Sequence, residues 1–435
     1  MDRTAKIERR HFIMKMKILV SSINFYPDHS GIALYSTDLP VFFSEHGHQV
    51  TVVTGFSYYP KWEKQPEDRR KLFQTDQYKG VKVLRGYLYV PKHVTTFKRI
   101  VHELSFVFFA MINFLRAGRH DCIVILSPPL LLGIAGVVFK WFWGAQLVFH
   151  IQDLQPDAAL SLGMVKPGLL IRILQRIELF IYKHSTWVAT ITRGMREHLL
   201  AKGVPSEKLG LYYNWIDLAE ASSKNSTGRF IAKHPEVKGK FLVAYAGNLG
   251  IKQGVDVLVK AAELLRDDLR FHLFIIGEGA DRPRLMAIAE SKRLRNLTFL
   301  PFLSSNEYFE MLGDIHLSFV AQREKTGNVF FPSKLLGIMA MSKPLLISAD
   351  LESELGTTVS NGNFGVVVAA GDAKGVADGI RRLGSDLELC EKLGRQGLKA
   401  VGAWDRNVVL GDFLKRITSV SGANLKQSEQ NYLNA

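Results

Sequence analysis

The chain has 435 residues, too many for one hydrophobic core, and its 47% hydrophobic and 22% charged residues are typical of a globular protein with two or three domains. Two cysteines, Cys122 and Cys390, are too few for a disulfide framework or a cysteine metal site. The net charge of +15 lies mostly in residues 1–217, with 28 lysines and arginines against 17 aspartates and glutamates. Without a nucleic-acid recognition motif, this excess indicates an anionic lipid surface or a phosphorylated substrate and no nucleic acid.

The first half of the chain alternates between strand and helix patterns. A β-branched strand at 17–23 is followed by a glycine-containing loop at 24–33, a helix to about residue 46, and a second strand at 48–54. Further strands are predicted at 81–86, 121–126, 145–150 and 186–191. Strands joined by helices form parallel sheets with right-handed crossovers, so we expect a doubly wound α/β sheet.

Neither a secretion signal nor a membrane span is predicted. The N-terminus carries charges without a continuous apolar stretch. The uncharged runs at 104–115 and 127–139 each fall short of the ~20 apolar residues that cross a bilayer. We therefore expect a protein of the reducing cytoplasm.

A second half with the same organisation follows a connecting segment. Residues 218–240 lose the apolar periodicity and are rich in serine, asparagine and glycine, as expected between domains. A strand, a glycine loop and a helix then start again at FLVAYAGNLGIKQG. The later predicted elements are strands at 270–276, 297–299 and 315–320, a helix from 333 and a helix at 406–417. Two successive Rossmann-like halves result.

Glycine loops follow the first strand of each half. Ligands of open parallel sheets bind beyond the carboxyl ends of the strands, so these loops are candidate binding sites. Gly31 precedes a helix whose free N–H groups favour an anion. Gly247, Asn248, Lys252 and Gln253 lie directly before another helix and could cradle a diphosphate. This loop is neither a GxGxxG fingerprint nor a P-loop, which disfavours hydride transfer and ATP hydrolysis.

A second candidate for anion binding is the start of the helix at 333. Ser333 suits a helix start, and Lys334 falls in the first turn. A lysine at this end of a helix is disfavoured by the helix dipole unless an anion offsets it. A solvated lysine is the alternative interpretation.

Acidic and imidazole side chains follow the strand at 145–150. His150, Asp153 and Asp157 lie where that strand ends, and each could accept the proton of an acceptor hydroxyl. A histidine that ends a buried strand is also often a hydrogen-bonded core group. The sequence has no Asp-x-Asp pair and no Cys/His cluster, so we expect no metal in the reaction.

Several segments together resemble the family-4 glycosyltransferases of GT-B fold, in the branch that builds colanic acid and other exopolysaccharides. The resemblance covers about residues 17–418. It lies in KILVSSINFYPDHSGIALYS, GFSYYPKW, FHIQDLQPDAALSLG, YNWID, YAGNLGIKQGVDVL, IIGEGADRPRL and FPSKLLGIMAMSKPLLIS.

The resemblance implies two Rossmann-like domains that face each other across a cleft. Residues 15–218 would bind the acceptor, residues 240–403 the nucleotide sugar, and a final helix at 404–420 would pack back on the first domain. The implied reaction is retaining transfer of a hexose or deoxyhexose from a UDP- or GDP-sugar to a lipid-diphosphate-linked oligosaccharide, with no cofactor. An oxocarbenium-like transition state needs its leaving diphosphate neutralised, which lysines can do.

The same resemblance extends the set of donor-binding residues. The predicted donor site consists of Gly31, Gly247, Asn248, Lys252, Gln253, Gly277, Glu278, Gly279, Ser333 and Lys334.

The sequence departs from the family pattern at two places. Many members carry two glutamates that bind the donor sugar and ribose, and the matching positions here are Val329 and Gly337. Ribose recognition must then come from elsewhere. Many members also have a His-Asp pair, whereas this chain has Gln152 and Asp153, with His150 two residues earlier. Asp153 therefore becomes the alternative proton acceptor.

The sequence leaves two alternative functions open, and it predicts a membrane partner. A nucleotide-sugar epimerase uses a related fold, and a sugar-nucleotide-binding protein without turnover would fit the two missing glutamates. Lys92, Lys98 and Arg99 precede the apolar run at 104–115, which predicts peripheral binding to the anionic inner membrane surface. A core helix is the alternative for that run.

Overall fold

The computed structural model describes residues 15–28, 31–59, 61–93, 95–155, 157, 168–223, 228–324 and 334–420. The strands are β1 Lys17–Ser21, β2 Gln49–Gly55, β3 Phe73–Tyr78, β4 Val81–Gly86, β5 Cys122–Ser127, β6 Gln146–Ile151, β7 Trp187–Thr190, β8 Leu209–Leu211, β9 Phe241–Ala246, β10 Phe271–Ile276, β11 Leu297–Leu300, β12 Leu317–Ala321, β13 Leu345–Ser348 and β14 Gly365–Val368. The helices are α1 Ile32–Glu45, α2 Thr96–Ala117, α3 Leu132–Trp143, α4 Leu169–His184, α5 Arg193–Ala201, α6 Leu218–Ser222, α7 Arg229–Lys233, α8 Asp256–Leu264, α9 Arg282–Ser291, α10 Ser305–Asp314, α11 Lys334–Ala340, α12 Glu354–Gly362, α13 Ala373–Ser385, α14 Leu387–Val401 and α15 Arg406–Val420.

The first sheet has eight strands in the order β3-β4-β2-β1-β5-β6-β7-β8. β1 pairs in parallel with β2 and β5, and β3 runs antiparallel to β4. Every residue of β5 is buried, as expected for a strand whose sheet is covered by helices on both faces. The carboxyl ends of β2, β1 and β5 therefore lie side by side.

The second sheet has six strands in the order β11-β10-β9-β12-β13-β14, and its strands pair in parallel. All six residues of β10 are buried. β9 lies between β10 and β12, which brings the loops after these strands together. The expected α/β fold with two parallel sheets is confirmed.

The described residues form two compact units that do not follow chain order. The first takes its residues from Met1–Gln152, Ile173–Ala189 and Asp412–Ala435, and the second from Asp153–Arg172 and Thr190–Gly411. In the first unit, the Phe413 ring of α15 lies 5.0 Å from Trp187 and 5.6 Å from His150, centroid to centroid. The C-terminal part of the last helix thus belongs to the core of the first unit.

Two local predictions differ from the structure. The strands β3, β8, β13 and β14 were not predicted, and the antiparallel edge strand β3 has the half-exposed sequence FQTDQY without a continuous apolar run. Residues 218–240 were expected to be irregular, but they contain α6 and α7. The Asp217 side chain accepts the N–H of Glu220, and the Asp314 carboxylate accepts the N–H of Phe230. These caps stabilise short helices that carry little apolar periodicity.

Helix α2 is longer than the apolar run that marked it in the sequence. It has 22 residues, and its apolar window has a mean hydropathy of 1.5. Within the described part of the chain it is the one helix long and apolar enough to cross a membrane by these criteria, which core helices of globular proteins also meet. Its inner face packs into the first unit through Phe106, Ala110 and Phe114, which are buried.

Candidate functional site

Two glycine loops interlock at the carboxyl ends of β9 and β10. The N–H of Gly247 donates to the carbonyl of Ile276 at 2.9 Å, and the N–H of Leu249 donates to that of Glu278 at 2.8 Å. Gly277 has φ 140°, and a Cβ added there would lie 1.9 Å from the carbonyl oxygen of Gly247. Only glycine fits this contact, so the two loops form one surface on which backbone can approach a ligand closely.

The other two predicted residues of the second loop differ in role: Gly279 is required by packing, and Glu278 is exposed. Gly279 has φ 157°, and a Cβ there would stand 2.3 Å from the carbonyl oxygen of Leu249, so this glycine too is required by packing. The Glu278 side chain is half exposed, and its carboxylate lies 3.6 Å from the guanidinium of Arg282.

Lys334 places its amine against the first glycine loop. The Nζ atom lies 3.8 Å from the centroid of the Tyr245 ring and 2.8 Å from the point where a Cβ on Gly247 would stand. Nζ is buried and has no hydrogen-bond partner within the described residues, and burial lowers the pKa of the amine to about 7. A buried ammonium without a counter-charge is unfavourable unless an anion binds beside it. The arrangement provides the charge and the open backbone that a phosphate requires.

The structure describes the other predicted residues of the first loop only in part. The Tyr245 hydroxyl donates to the carbonyl of Asn248 at 2.7 Å, which fixes the loop over the ring. The Oε1 atom of Gln253 is buried and has no partner among the described groups. The backbone of Lys252 lies in the 3-10 turn Ile251–Gln253. The side chain of Lys252 and all of Ser333 lie outside the described residues.

Gly31 lies in the first unit, where it begins α1. It has φ 62°, and the nearest atom to a Cβ placed there belongs to the Tyr59 ring, at 3.9 Å. The structure thus brings together the glycines of the two loops and Lys334 in the second sheet, and it places Gly31 beside an aromatic side chain of the first unit.

A cavity of about 220 Å³ lies at the carboxyl ends of β1, β2 and β5, next to the start of α2. It is lined by Ile23, Asn24, Tyr58, Tyr59, Trp62, Arg99, His102, Glu103, Pro128 and Pro129. All of these belong to the first unit. The position agrees with the rule that open parallel sheets bind ligands beyond the carboxyl ends of their strands.

His150 is a core residue. Its side chain is fully buried, burial lowers its pKa to about 4, and its ring lies 5.6 Å from that of Phe413. The Nε2 atom accepts from the Gln152 amide at 3.4 Å. This neutral imidazole fits the structural interpretation of a strand-end histidine better than contact with a substrate hydroxyl.

The two carboxylates after β6 differ in their surroundings. Asp157 accepts from Nε2 of His198 at 3.0 Å and pairs with Nζ of Lys202. Burial raises the pKa of Asp157, but the hydrogen bond and charge of Lys202 and the bond to His198 outweigh this and lower it. An ion-paired carboxylate is a weak proton acceptor. Asp153 is half buried and lies two residues after the end of β6. The catalytic roles of all three residues stay predictions.

The structure also shows what stands beside Gly337, where many family members have a glutamate. A Cβ on this residue would lie 3.5 Å from the hydroxyl of Tyr308. That hydroxyl is buried and has no partner among the described groups, and burial raises the pKa of Tyr308 above its usual value.

Sequence reasoning missed Tyr245, Tyr308 and His102. Each lies inside an otherwise apolar or helical pattern, where an aromatic residue is most simply interpreted as core. Only tertiary contacts reveal that Tyr245 supports the amine of Lys334. Among the described residues, no three His, Cys, Asp or Glu side chains come together as metal ligands.

Comparison with known proteins identifies the family of both halves. Residues 30–215 match the family described as "Glycosyl transferase 4-like domain", and residues 226–400 match "Glycosyl transferases group 1". WcaI of Escherichia coli K12, whose assigned role is glycosyl transfer in colanic acid biosynthesis, is 32% identical over 352 residues, 78% of this chain and 85% of WcaI.

Solved structures with this fold include a sucrose-phosphate synthase and a protein in complex with UDP. The sucrose-phosphate synthase of Thermosynechococcus elongatus gives a TM-score of 0.72 at 16% identity, covering 93% of this chain and 100% of that one. Anabaena HepE, solved in complex with UDP, gives 0.68 at 14% identity, with coverage of 93% and 100%. At these identities the likeness establishes the fold.

Proposed function

Since the chain belongs to the family-4 glycosyltransferases of GT-B fold, we propose that it transfers a hexosyl or deoxyhexosyl group from a UDP- or GDP-sugar to a lipid-diphosphate-linked oligosaccharide. Transfer retains the anomeric configuration, requires no metal ion or other cofactor, and serves exopolysaccharide biosynthesis on the cytoplasmic face of the inner membrane. The similarity to WcaI supports the pathway class, and the solved complex of HepE with UDP supports the donor class.

The observation that carries the donor assignment is the buried amine of Lys334 beside Gly247. An amine with a pKa of about 7 takes up a proton when a diphosphate binds next to it, because the anion favours the charged form. As the bond from the anomeric carbon to the phosphate oxygen breaks, its electron pair stays on the diphosphate. The ammonium stabilises that increase in charge more in the transition state than in the ground state.

The remaining steps concern the acceptor. Its hydroxyl oxygen forms the new bond to the anomeric carbon, and its proton goes to a carboxylate, for which Asp153 is the proposed group. We retain Asp153 over His150 because the side chain of His150 is fully buried in the core, where it is closed off from a substrate hydroxyl. A carboxylate beside the hydroxyl accepts the proton as the bond forms.

Three neighbouring helices support the membrane part of the proposal. The Phe114 ring of α2 lies 5.0 Å from Phe139 of α3, and Trp141 of α3 lies 6.2 Å from Phe180 of α4. All three helices expose large apolar side chains. The exposed set within the first unit is Phe97, Ile100, Leu104, Phe108, Met111, Leu115, Val138, Trp141, Phe142, Ile173, Leu179 and Phe180. We call this set the apolar helix surface.

The charged side chains of the same helices are mostly cationic, which favours contact with an anionic lipid surface. The exposed cations include Arg99, Arg116, Arg176 and Lys183. The carboxylates of these helices are Glu103, which pairs with Arg99 at 3.3 Å, and the buried Glu178. Exposed apolar rings with cations and no exposed carboxylate favour insertion at the interface of an anionic membrane.

The test supplies purified protein with a panel of UDP- and GDP-sugars and with polyprenyl-diphosphate-linked acceptors, and analyses the product by mass and by anomeric NMR couplings. We expect a new glycosidic bond with the configuration of the donor. Conversion of the donor sugar without an acceptor would indicate an epimerase instead. Binding of the donor without transfer or hydrolysis would indicate a protein without turnover.

A further inference from the structure

The carboxylate of Glu354 binds the N-terminus of a helix that is distant in the chain. Its Oε1 atom accepts the N–H of Arg193 at 2.7 Å, and its Oε2 atom accepts the N–H of Gly194 at 2.8 Å. These two residues begin α5, and the Thr192 side chain accepts the next N–H, that of Met195, at 3.0 Å. Glu354 therefore completes the cap of a helix whose first N–H groups have no intrahelical partner.

Helix α5 depends on this cap because it is short. It has nine residues, fewer than the ~12–15 that an isolated helix needs in water, and its buried side chains are Met195 and Leu199. Bonds from a carboxylate to N–H groups at a helix start are charge-assisted, and the helix dipole strengthens them. Glu354 is itself held in the first turn of α12, which the Ser353 side chain caps. We therefore expect the carboxylate to fix the start of α5.

The other end of α5 holds the carboxylate of Asp157. His198 lies in the last turn of the helix and Lys202 is its C-cap, so these two side chains, four residues apart, share one face. Nε2 of His198 lies 3.0 Å from Oδ2 of Asp157, and Nζ of Lys202 pairs with the same oxygen. The helix thus joins Glu354 at its start to Asp157 at its end.

Asp157 in turn belongs to the segment that carries Asp153, four residues earlier. Leu154 is 2% exposed, and the N–H of Gln155 donates to the carbonyl of Asp153 at 3.1 Å. A segment fixed by a buried side chain and a turn passes a displacement of one end on to the other. All the residues of this series, from Glu354 to Asp153, lie in the second unit.

We propose that Glu354 is a positioning residue for glycosyl transfer: it fixes α5, and α5 holds Asp157 so that the carboxylate of Asp153 stays directed at the acceptor hydroxyl. The inference rests on the proposed function, which assigns the proton of that hydroxyl to Asp153. Since α12 follows β13, the sheet that carries the donor site also sets the position of the proton acceptor. Glu354 touches neither substrate in this scheme, so its loss should lower kcat and leave donor binding unchanged.

The experiment compares Glu354→Gln, which keeps the size of the side chain but removes its charge and one acceptor oxygen, with Glu352→Gln. Glu352 is an exposed carboxylate two residues earlier and serves as the matched control. We measure kcat at saturating acceptor, Kd for UDP by calorimetry, and amide hydrogen exchange by mass spectrometry. Glu354→Gln should lower kcat about tenfold, keep the Kd for UDP, and speed exchange at the start of α5 and at residues 153–155. The control should change none of these.

A double-mutant cycle tests whether the effect passes through the helix. Lys202→Met removes the cation at the far end of α5 and should lower kcat about tenfold by itself. If both residues act through α5 on Asp153, the double variant should also lose about tenfold, because the second change breaks a series already broken. Independent effects would multiply to about a hundredfold.

A second pair of variants removes the contact from the helix side. Proline suits the first helical position, and Thr192 before it is extended, at φ −142° and ψ 155°, as a residue before proline must be. Arg193→Pro deletes an N–H that Glu354 binds, whereas Arg193→Ala keeps it. The proline variant should therefore have a kcat about three- to fivefold below that of the alanine variant. This pair carries the test should Glu354→Gln fail to fold.

The outcomes separate this proposal from the proposed function. If the wild-type protein transfers sugar and Glu354→Gln keeps its kcat, the positioning proposal is wrong and the function stands. A hundredfold loss in the double variant, or weaker UDP binding in Glu354→Gln, would also overturn the proposal, because Glu354 would then act apart from Asp157 or belong to the donor site. Failure of the wild-type protein to transfer sugar would overturn the proposed function itself.

Discussion

The two sheets of this protein present different chemistry at equivalent places. Beyond the carboxyl ends of β9 and β10 lie two interlocked glycine loops and the amine of Lys334, which has no hydrogen-bond partner among the described residues. Beyond those of β1, β2 and β5 lie aromatic rings, a neutral imidazole and an Arg–Glu pair. The sheet architecture is shared, so the side chains on the loops give the two places their different chemistry: a buried amine at one, and aromatic rings with a paired arginine and glutamate at the other.

The largest effect is expected at the charged site. Lys334→Ala should lower kcat/KM for the donor by about tenfold to a few hundredfold, because a charge-assisted contact to phosphate contributes roughly 1.5–3 kcal/mol and more in the transition state. Lys252→Ala tests the neighbouring lysine in the same assay. Lys374→Ala, an exposed control in the second unit, should keep full activity. Full activity in both loop variants would contradict the placement of the donor.

The charged site should also be sensitive to pH in a way that the aromatic cavity is not. The Lys334 amine has a pKa of about 7, so above that pH it must gain a proton when UDP binds. The Kd for UDP should rise by up to about tenfold per pH unit above 7, and calorimetry in buffers of different ionisation enthalpy should show proton uptake. Lys334→Arg, which stays charged, should abolish the uptake. Equal uptake in that variant would assign the proton to another group.

A third prediction concerns the apolar helix surface of the first unit. Phe142→Ser and Trp141→Ser should each weaken binding to vesicles with anionic lipids roughly tenfold, since burying an aromatic side chain contributes about 1.5–3 kcal/mol. Binding of the wild type should weaken as salt rises. The measurement is cosedimentation, with Leu269→Ser, an exposed change in the second unit, as control. No cosedimentation of the wild type at low salt would remove the membrane claim.

Stability should show the opposite trend to donor binding. The pKa of Lys334 is about 7 in the folded protein and 10.5 in the unfolded chain. At pH values between these two, the lysine is protonated in the unfolded chain but not in the folded protein. This contribution to stability therefore falls as pH drops from 10.5 to 7. Lys334→Met should raise Tm at pH 7, by about 2–4 °C for each kcal/mol recovered, with the gain shrinking towards pH 10.5. A lower Tm at pH 7 would show that the amine stabilises the fold.

The smallest effect is expected on chelation. If Lys334 supplies the charge that offsets the leaving diphosphate, transfer activity should be unchanged after dialysis against EDTA. Loss of activity that magnesium or manganese restores would show that a metal ion, rather than the lysine, neutralises the diphosphate.

Much of the fold was predictable because buried strands and helices require apolar residues at a characteristic spacing along the chain. β4 was predicted at its observed bounds, and most other strands within two residues, since their apolar runs are continuous. The short strands β8, β13 and β14 were not predicted. The edge strand β3 and the short helices α6 and α7 were not predicted either, because a partly exposed element has little apolar signal, and such helices depend on caps such as Asp314.

The sequence by itself determined the glycine loops, the family and the basic first half, because these are properties of residue type and spacing. Tertiary structure decided which polar groups are left unpaired: it buried the amine of Lys334 against Tyr245, paired Asp157 with Lys202, and closed His150 into the core. It also gathered His102, Tyr58 and Tyr59 into one cavity from distant parts of the chain. Desolvation and hydrogen bonding depend on neighbours in space, which no local pattern specifies.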